Sequence, residues 1–273
     1  MPPRYFCQMN VLLDPAAKPV IGHRGNRAHA PENTIESFAQ AAALGADALE
    51  FDVHLSADGI AVVHHDPTVG RTTDGNGEIS RLTFAQLREL DAGAHFSTDG
   101  GKTYPYRGKG HRIPSFEEVV EAFPSMPLLI EIKTPLASTA VKDVIERHMA
   151  ESRCLVDSTH TEALKIFRGS NIPAGAASAD VARVMREVLT GSRITPINYR
   201  ALCVPLNYYA LPLPVKRFAE VAPKYDCRVH VWTINSVSKA RELWNAGVNG
   251  IITDDPAVML KERDRLFGRT LSE

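Results

Sequence analysis

The chain has 273 residues, of which 44% are hydrophobic and 23% charged, and a net charge of −1 at neutral pH. This is the balance of an ordinary globular protein with material for one large core, and it excludes bulk electrostatic attraction to nucleic acid or an anionic membrane. No apolar run approaches the ~20 residues of a membrane span.

The first stretch, "MPPRYFCQMNVLLDPAAKP", lacks the apolar segment of a secretory signal. Cys7, Cys154, Cys203 and Cys227 lie far apart and form no zinc-type pair, so free thiols in a reducing, cytoplasmic setting are expected. "PVIGHRG" (19–25) reads as a short buried strand ending in a glycine-flanked loop. A helix follows, with Asn33 as N-cap, Glu36 three residues on, and Gly45 as its stop. "DALEFDVHL" (47–55) is the next strand. "SADG" (56–59) is a hairpin turn, and "IAVVHHD" (60–66) returns from it.

Residues 67–113 are rich in Gly, Thr, Arg and Tyr, with a single helical piece near "TFAQLREL". They read as a small cap over one end of a single domain spanning 1–273, because a loop this long in a compact domain is usually functional. Phe96, Tyr104 and Tyr106 within it suit either a lid over substrate or a small core of the cap itself. Regular periodicity resumes at "IPSFEEVVEAF", where Ser115 and Glu118 form a capping box. Strands "MPLLIEIK", "RCLVDS", "IPAGAAS", "RALCVPL", "RVHVWTIN" and "GIITDDP" then alternate with helices. Leaving the hairpin return aside, the strands number eight, which predicts a TIM-type (β/α)8 barrel. An open doubly wound sheet is the competing layout, but no GxGxxG or phosphate-loop pattern supports it.

Side chains alternate across a strand, so Glu50 and Asp52 share a face. Two carboxylates in an apolar neighbourhood are costly unless a cation lies between them, and hard oxygen ligands suit Mg²⁺ or Ca²⁺. An even-length hairpin loop at 56–59 or 58–59 brings His65 to that acidic face; an odd loop or a bulge brings His64 instead. "LIEIK" repeats the device with Glu131 and Lys133, the lysine serving as an ion-pair partner, a phosphate contact, or both. His23 and Arg24 end the first strand, and arginine suits phosphate oxygens. In a parallel barrel all these strand ends meet at one face. The set suits metal-assisted attack on a phosphate ester, with imidazoles moving protons.

"HRGNRAHAPENTIESF", "GADALEFDVHLSADGIAVVHHD", "RTTDGNGEI", "IPSFEEV", "LLIEIK", "VHVWTIN" and "GVNGIITDDP" together resemble the glycerophosphodiester phosphodiesterase family, in the same order, from about Pro19 to Pro256. The resemblance implies a barrel similar to that of the phosphoinositide-cleaving phospholipases. It implies one divalent cation on Glu50, Asp52 and Glu131, and His23 with His65 as the acid–base pair. Arg24 and Lys133 would contact phosphate, and Trp232, otherwise as easily core, would line the pocket. The implied substrate is a small glycerophosphodiester, split into an alcohol and sn-glycerol 3-phosphate through a cyclic phosphate. The stretch 97–111 and the segment "VDSTHTEAL" depart from the family's motifs.

A rival with the same acids and histidines is a phospholipase D-like lyase on lysolipids or sphingolipids. A zinc amidohydrolase is disfavoured because no H-x-H stands at the first strand end.

Overall fold

A computed structural model describes residues 10–193, 197–208 and 211–268. Cys7, and with it residues 1–9 of the stretch read for a signal, lies outside them. Strand β1 (Val20–His23) leads to α1 (Ile35–Ala43), β2 (Ala48–Leu55) and the short return β3 (Ala61–Val63). After α2 (Phe84–Glu89) and α3 (Phe116–Ala122) come β4 (Leu128–Ile132), α4 (Ser138–Arg147), β5 (Cys154–Asp157), α5 (Thr161–Leu164) and α6 (Ser178–Thr190). The chain continues through β6 (Ala201–Pro205), the two-strand ribbon β7 (Asn207–Tyr208) and β8 (Leu211–Pro212), and α7 (Val215–Val221). It closes with β9 (Arg228–Trp232), α8 (Val237–Asn245), β10 (Gly250–Thr253) and α9 (Pro256–Phe267).

Seven parallel strands follow one another in the order β5-β4-β2-β1-β10-β9-β6, with β3 antiparallel on β2. The gap between β5 and β6 holds residues 173–176. There Gly175 N donates to Val156 O at 2.8 Å and Ala176 N donates to Ala201 O at 2.9 Å. The eighth expected strand is therefore a short bridge and not a ladder. Its sequence, Pro-Ala-Gly-Ala, has little intrinsic preference for a pleated surface. The fold is a parallel barrel ringed by helices, as the strand count implies.

Alternation along each strand divides the core in two. Leu49, Phe51 and Val53 point outward and pack with Phe38, Phe116 and Val141 of the surrounding helices. Ile21, Ala48, Leu129, Leu155, Ala201 and Ile252 point inward and close over Leu12, which plugs the barrel floor. Fully burying a side chain such as Phe51 contributes about 1.5–3 kcal/mol. The outward face thus supplies stability that lets the next inward layer carry charged groups.

The capping boxes at Thr83–Gln86 and Ser115–Glu118 both form. Helix α1 differs from expectation. Thr34, not Asn33, is its N-cap, accepting from Ser37 N at 3.2 Å. Asn33 sits in the left-handed region with φ 58° and turns its amide toward the barrel.

The segment after β3 packs Val69, Ile79, Leu87, Ala92 and Ile113 against Val62. Farther along, Phe96 stacks edge-on against Tyr106 at 5.2 Å, and Arg107 lies over the Tyr104 ring at 3.7 Å. Tyr106 accepts from Gln40 at 2.9 Å and donates to His29 O at 3.1 Å, which ties this segment to the loop after β1. Phe96 thus packs on Tyr106 and also lines a cavity of about 600 Å³ beside the barrel mouth. Among the described residues no helix is long and apolar enough to cross a membrane.

Candidate active site

Two residues beyond the apolar inward layer, the chemistry changes at the C-terminal ends of the strands. His23 and Arg24 (after β1), Glu50 (β2), Glu131 and Lys133 (β4), His65 and Trp232 line one cleft of about 320 Å³. Asp52, two residues above Glu50 on the same face, is 1% exposed and touches both basic groups of the cleft. The structure therefore brings all eight sequence-predicted residues together.

The three acids offer one oxygen each within 4.8 Å of one another. Parallel pairing explains the convergence: Asp52 is in register with Glu131, and His23 with Glu50. Burial, then the charge of Asp52, pushes the Glu50 carboxyl well above its ordinary range. Burial also raises Glu131, against the pull of Lys133. Burial opposes ionisation of Asp52 too, but Lys133 and Arg24 overcome it and hold that carboxyl below its ordinary range. Lys133 Nζ reaches Asp52 at 2.9 Å and Glu131 at 3.0 Å. It is thus an ion-pair partner, with a third ammonium donor left over.

Three carboxylates against Arg24 and Lys133 leave negative charge uncompensated at a buried point. A divalent cation among the acids would reverse that balance and suit a phosphodiester anion. The donor set is all oxygen, so the residues fit Mg²⁺ or Ca²⁺.

The loop after β1 is built around this cluster. Arg24 takes φ 52°, and its backbone N–H donates to Glu50 at 3.0 Å. Its guanidinium donates to Glu32 at 2.7 Å, while Nε lies 3.0 Å from Asp52 without hydrogen-bond alignment. Gly25, at φ 89°, sits where a Cβ would come within 2.4 Å of Ser37 Oγ, so only glycine fits. Asn33 donates to Asp52 at 3.0 Å.

His65 reaches the site by a route the alternation argument does not describe. The hairpin loop is odd, residues 56–60, with Leu55 opposite Ala61. Continued pairing would place His64 across from Asp52, and His64 N does donate to Asp52 O at 2.9 Å. The strand ends at Val63, however, and the chain bends at 65–67. The bend turns His65 into the cleft, while His64 is buried against Asp66 O and Thr72. An even loop is thus incorrect, although the residue facing the acids is the one it selects.

Two of the three histidines that line the cleft, His23 and His65, are gripped at Nδ1. His23 meets Asp254 at 2.6 Å, and His65 meets Asp66 at 2.6 Å. A neutral ring that donates from Nδ1 leaves Nε2 as an acceptor facing the cleft. Burial lowers the pKa of both rings, and the partner carboxylates oppose it. Asp254 is steadied by Asn235 at 2.8 Å and by Arg27 at 3.2 Å; Asp66 is bound by Arg71. Glu32 receives Arg24, Arg27 and Arg71 together.

Asp66, Asp254, Glu32 and Asn33 are missed by the sequence reading. The signal was present for two of them: Asp66 closes the "HHD" end and Asp254 the "GIITDD" strand, where a barrel places its chemistry. Trp232 is 37% exposed at the end of β9 and forms a wall of the cleft, which decides between wall and core.

Residues 23–258 match the glycerophosphoryl diester phosphodiesterase family. A glycerophosphodiester phosphodiesterase of Caldanaerobacter subterraneus subsp. tengcongensis is 31% identical over 248 residues, 88% of this chain and 96% of that one. The glycerophosphoryl diester phosphodiesterase domain of an uncharacterized Mycobacterium tuberculosis protein shares the fold with TM-score 0.78 at 22% identity, over 91% of this chain and 99% of that one. An Oleispira antarctica phosphodiesterase, solved in complex with the product sn-glycerol-3-phosphate, aligns with TM-score 0.73 at 27% identity, over 90% of this chain and 96% of that one.

Proposed function

The chain belongs to the glycerophosphoryl diester phosphodiesterase family and is a phosphoric diester hydrolase; on that premise we propose that it splits glycerophosphodiesters into an alcohol and sn-glycerol 3-phosphate, with His23 and His65 as its acid–base pair. The observation that carries this reading is a pair of rings, each with Nδ1 held by a carboxylate, in one cleft with three converging acids. The product seen in the Oleispira antarctica phosphodiesterase supports the substrate class.

Glu50, Asp52 and Glu131 would hold one divalent cation, which supplies Lewis-acid polarisation of the phosphate and eases loss of a proton from an attacking hydroxyl. Arg24 and the free donor of Lys133 orient the phosphate oxygens. One histidine Nε2 takes the proton of the glycerol hydroxyl next to the phosphate as that oxygen attacks phosphorus. The other ring gives its proton to the departing alkoxide. Water then opens the cyclic phosphate with the two roles exchanged. Asp66 and Asp254 keep each ring in the required tautomer and steady its positive charge when it is protonated.

A substrate panel tests the reading. Purified protein is given glycerophosphocholine, glycerophosphoethanolamine or lysophosphatidylcholine, with Mg²⁺ or Ca²⁺. Release of sn-glycerol 3-phosphate from the first two, at a kcat/KM above that for the lysolipid, is expected. Choline release from lysophosphatidylcholine alone would instead identify the lyase reading.

A further inference from the structure

Asp157 is a fourth inward acid that the mechanism above does not use. It ends β5 in register with Glu131, so both point into the barrel. It lines the same cleft, yet it lies outside the group of acids that converge within 4.8 Å. Its Oδ1 is buried and, among the described residues, has no hydrogen-bond partner. A buried polar atom left unpaired is costly, so a natural site holding one calls for a partner.

The space around Oδ1 is made by a neighbour. Gly175, in the bridge that closes the barrel, has a backbone on which a Cβ would stand 2.1 Å from Asp157 Oδ1. The missing side chain thus makes room for the carboxyl. Leu129, Cys203 and Ile252 line the same cleft, and Asp157 stands in register with Glu131, on the side of the acids where the attacking hydroxyl must lie. The head groups of glycerophosphodiesters vary in size and need the open mouth, whereas glycerol is small and common to all of them. Glycerol carries the hydroxyl that attacks phosphorus and a second, terminal hydroxyl. A hydroxyl both donates and accepts, so it pairs with a carboxyl in either protonation state.

We propose that Asp157, given room by Gly175, binds the terminal hydroxyl of the glycerol moiety and so restricts the enzyme to glycerol diesters. The assignment rests on the phosphodiesterase reading and adds to it the expectation that simpler diol diesters are poorer substrates. A site built to bond a hydroxyl discriminates against the analogue that lacks it.

The test compares kcat/KM for glycerophosphocholine with that for the phosphocholine ester of propane-1,2-diol, which keeps the attacking hydroxyl and lacks the terminal one. The wild type is expected to prefer the glycerol diester by about 10- to 100-fold, the range that one unpaired buried group commands. Asp157→Leu should bring the ratio close to one by slowing the glycerol substrate, while Asp157→Asn keeps most of the preference. Gly175→Ala, which displaces the carboxyl from the other side, should also lower the ratio and decides the matter if the leucine variant does not fold. A wild type indifferent to the two diesters, or an Asp157→Leu variant with the wild-type ratio, overturns the assignment. A wild type that cleaves neither diester overturns the phosphodiesterase reading itself.

Discussion

Replacing His23 or His65 with alanine is expected to lower kcat by about 10²- to 10⁴-fold while changing KM little, the range for loss of a positioned proton donor or acceptor. Neither ring belongs to the apolar clusters that hold the barrel together, so both variants should fold. Each loss disables both chemical steps, because each ring exchanges roles between them. The double variant should therefore be barely slower than either single one. The same pair sets the acid side of the pH profile. Burial holds both rings below the ordinary 6.5, so either loses its proton at lower pH than a free histidine. The ring that acts as base must be neutral. The ring that acts as acid must be protonated, so the rate should fall on both sides of an optimum, with the acid limb displaced to lower pH than a free histidine would give. Near-normal turnover by both alanine variants, or an acid limb centred above pH 7, would refute the assignment.

Removing an acid should act on function and stability in opposite directions. Treatment with EDTA is expected to stop turnover, and Mg²⁺ or Ca²⁺ to restore it. Glu50→Gln and Glu131→Gln should weaken cation binding by more than the roughly 10–100-fold that loss of an outer ligand partner costs. In metal-free protein the expected sign reverses. Glu50 is buried beside Asp52 and disfavours its own charge, so a neutral amide of the same shape relieves repulsion. The metal-free Glu50→Gln variant should melt at or above the wild-type temperature while turnover is lost. Asp52 behaves differently because its charge is balanced by Lys133 and Arg24. Asp52→Asn should lower the melting temperature, since it leaves two buried cations short of a partner. A parallel fall in stability for all three substitutions would show the acids to be structural.

The acidic half of the site was legible because strand alternation is rigid. Glu50, Asp52, Glu131 and Lys133 lie on inward faces of β2 and β4, or just past their ends, and two-residue spacing specifies that face. The barrel itself followed from counting strands, with one, "IPAGAAS", surviving only as the bridge at residues 173–176. Legibility ended where the chain left regular structure. His65 owes its direction to a bend past the end of β3, and the alternation rule has no purchase on a bend. Asn33 looked like a cap because Asn suits that position, yet tertiary contact with Asp52 assigned the cap to Thr34. The carboxylates that grip the histidines were harder still. Asp254 meets His23 only after the last strand closes beside the first, a contact across 231 residues that local pattern cannot reveal.

The central claim is that strand ends from distant parts of the chain gather three carboxylates and two imidazoles around one hard cation. Anomalous diffraction from crystals soaked in Mn²⁺ and sn-glycerol 3-phosphate tests it most directly. The account predicts one strong peak per chain, bonded to oxygens of Glu50, Asp52 and Glu131, with the phosphate lying between His23 and His65. A peak elsewhere, or phosphate density away from both rings, would contradict it.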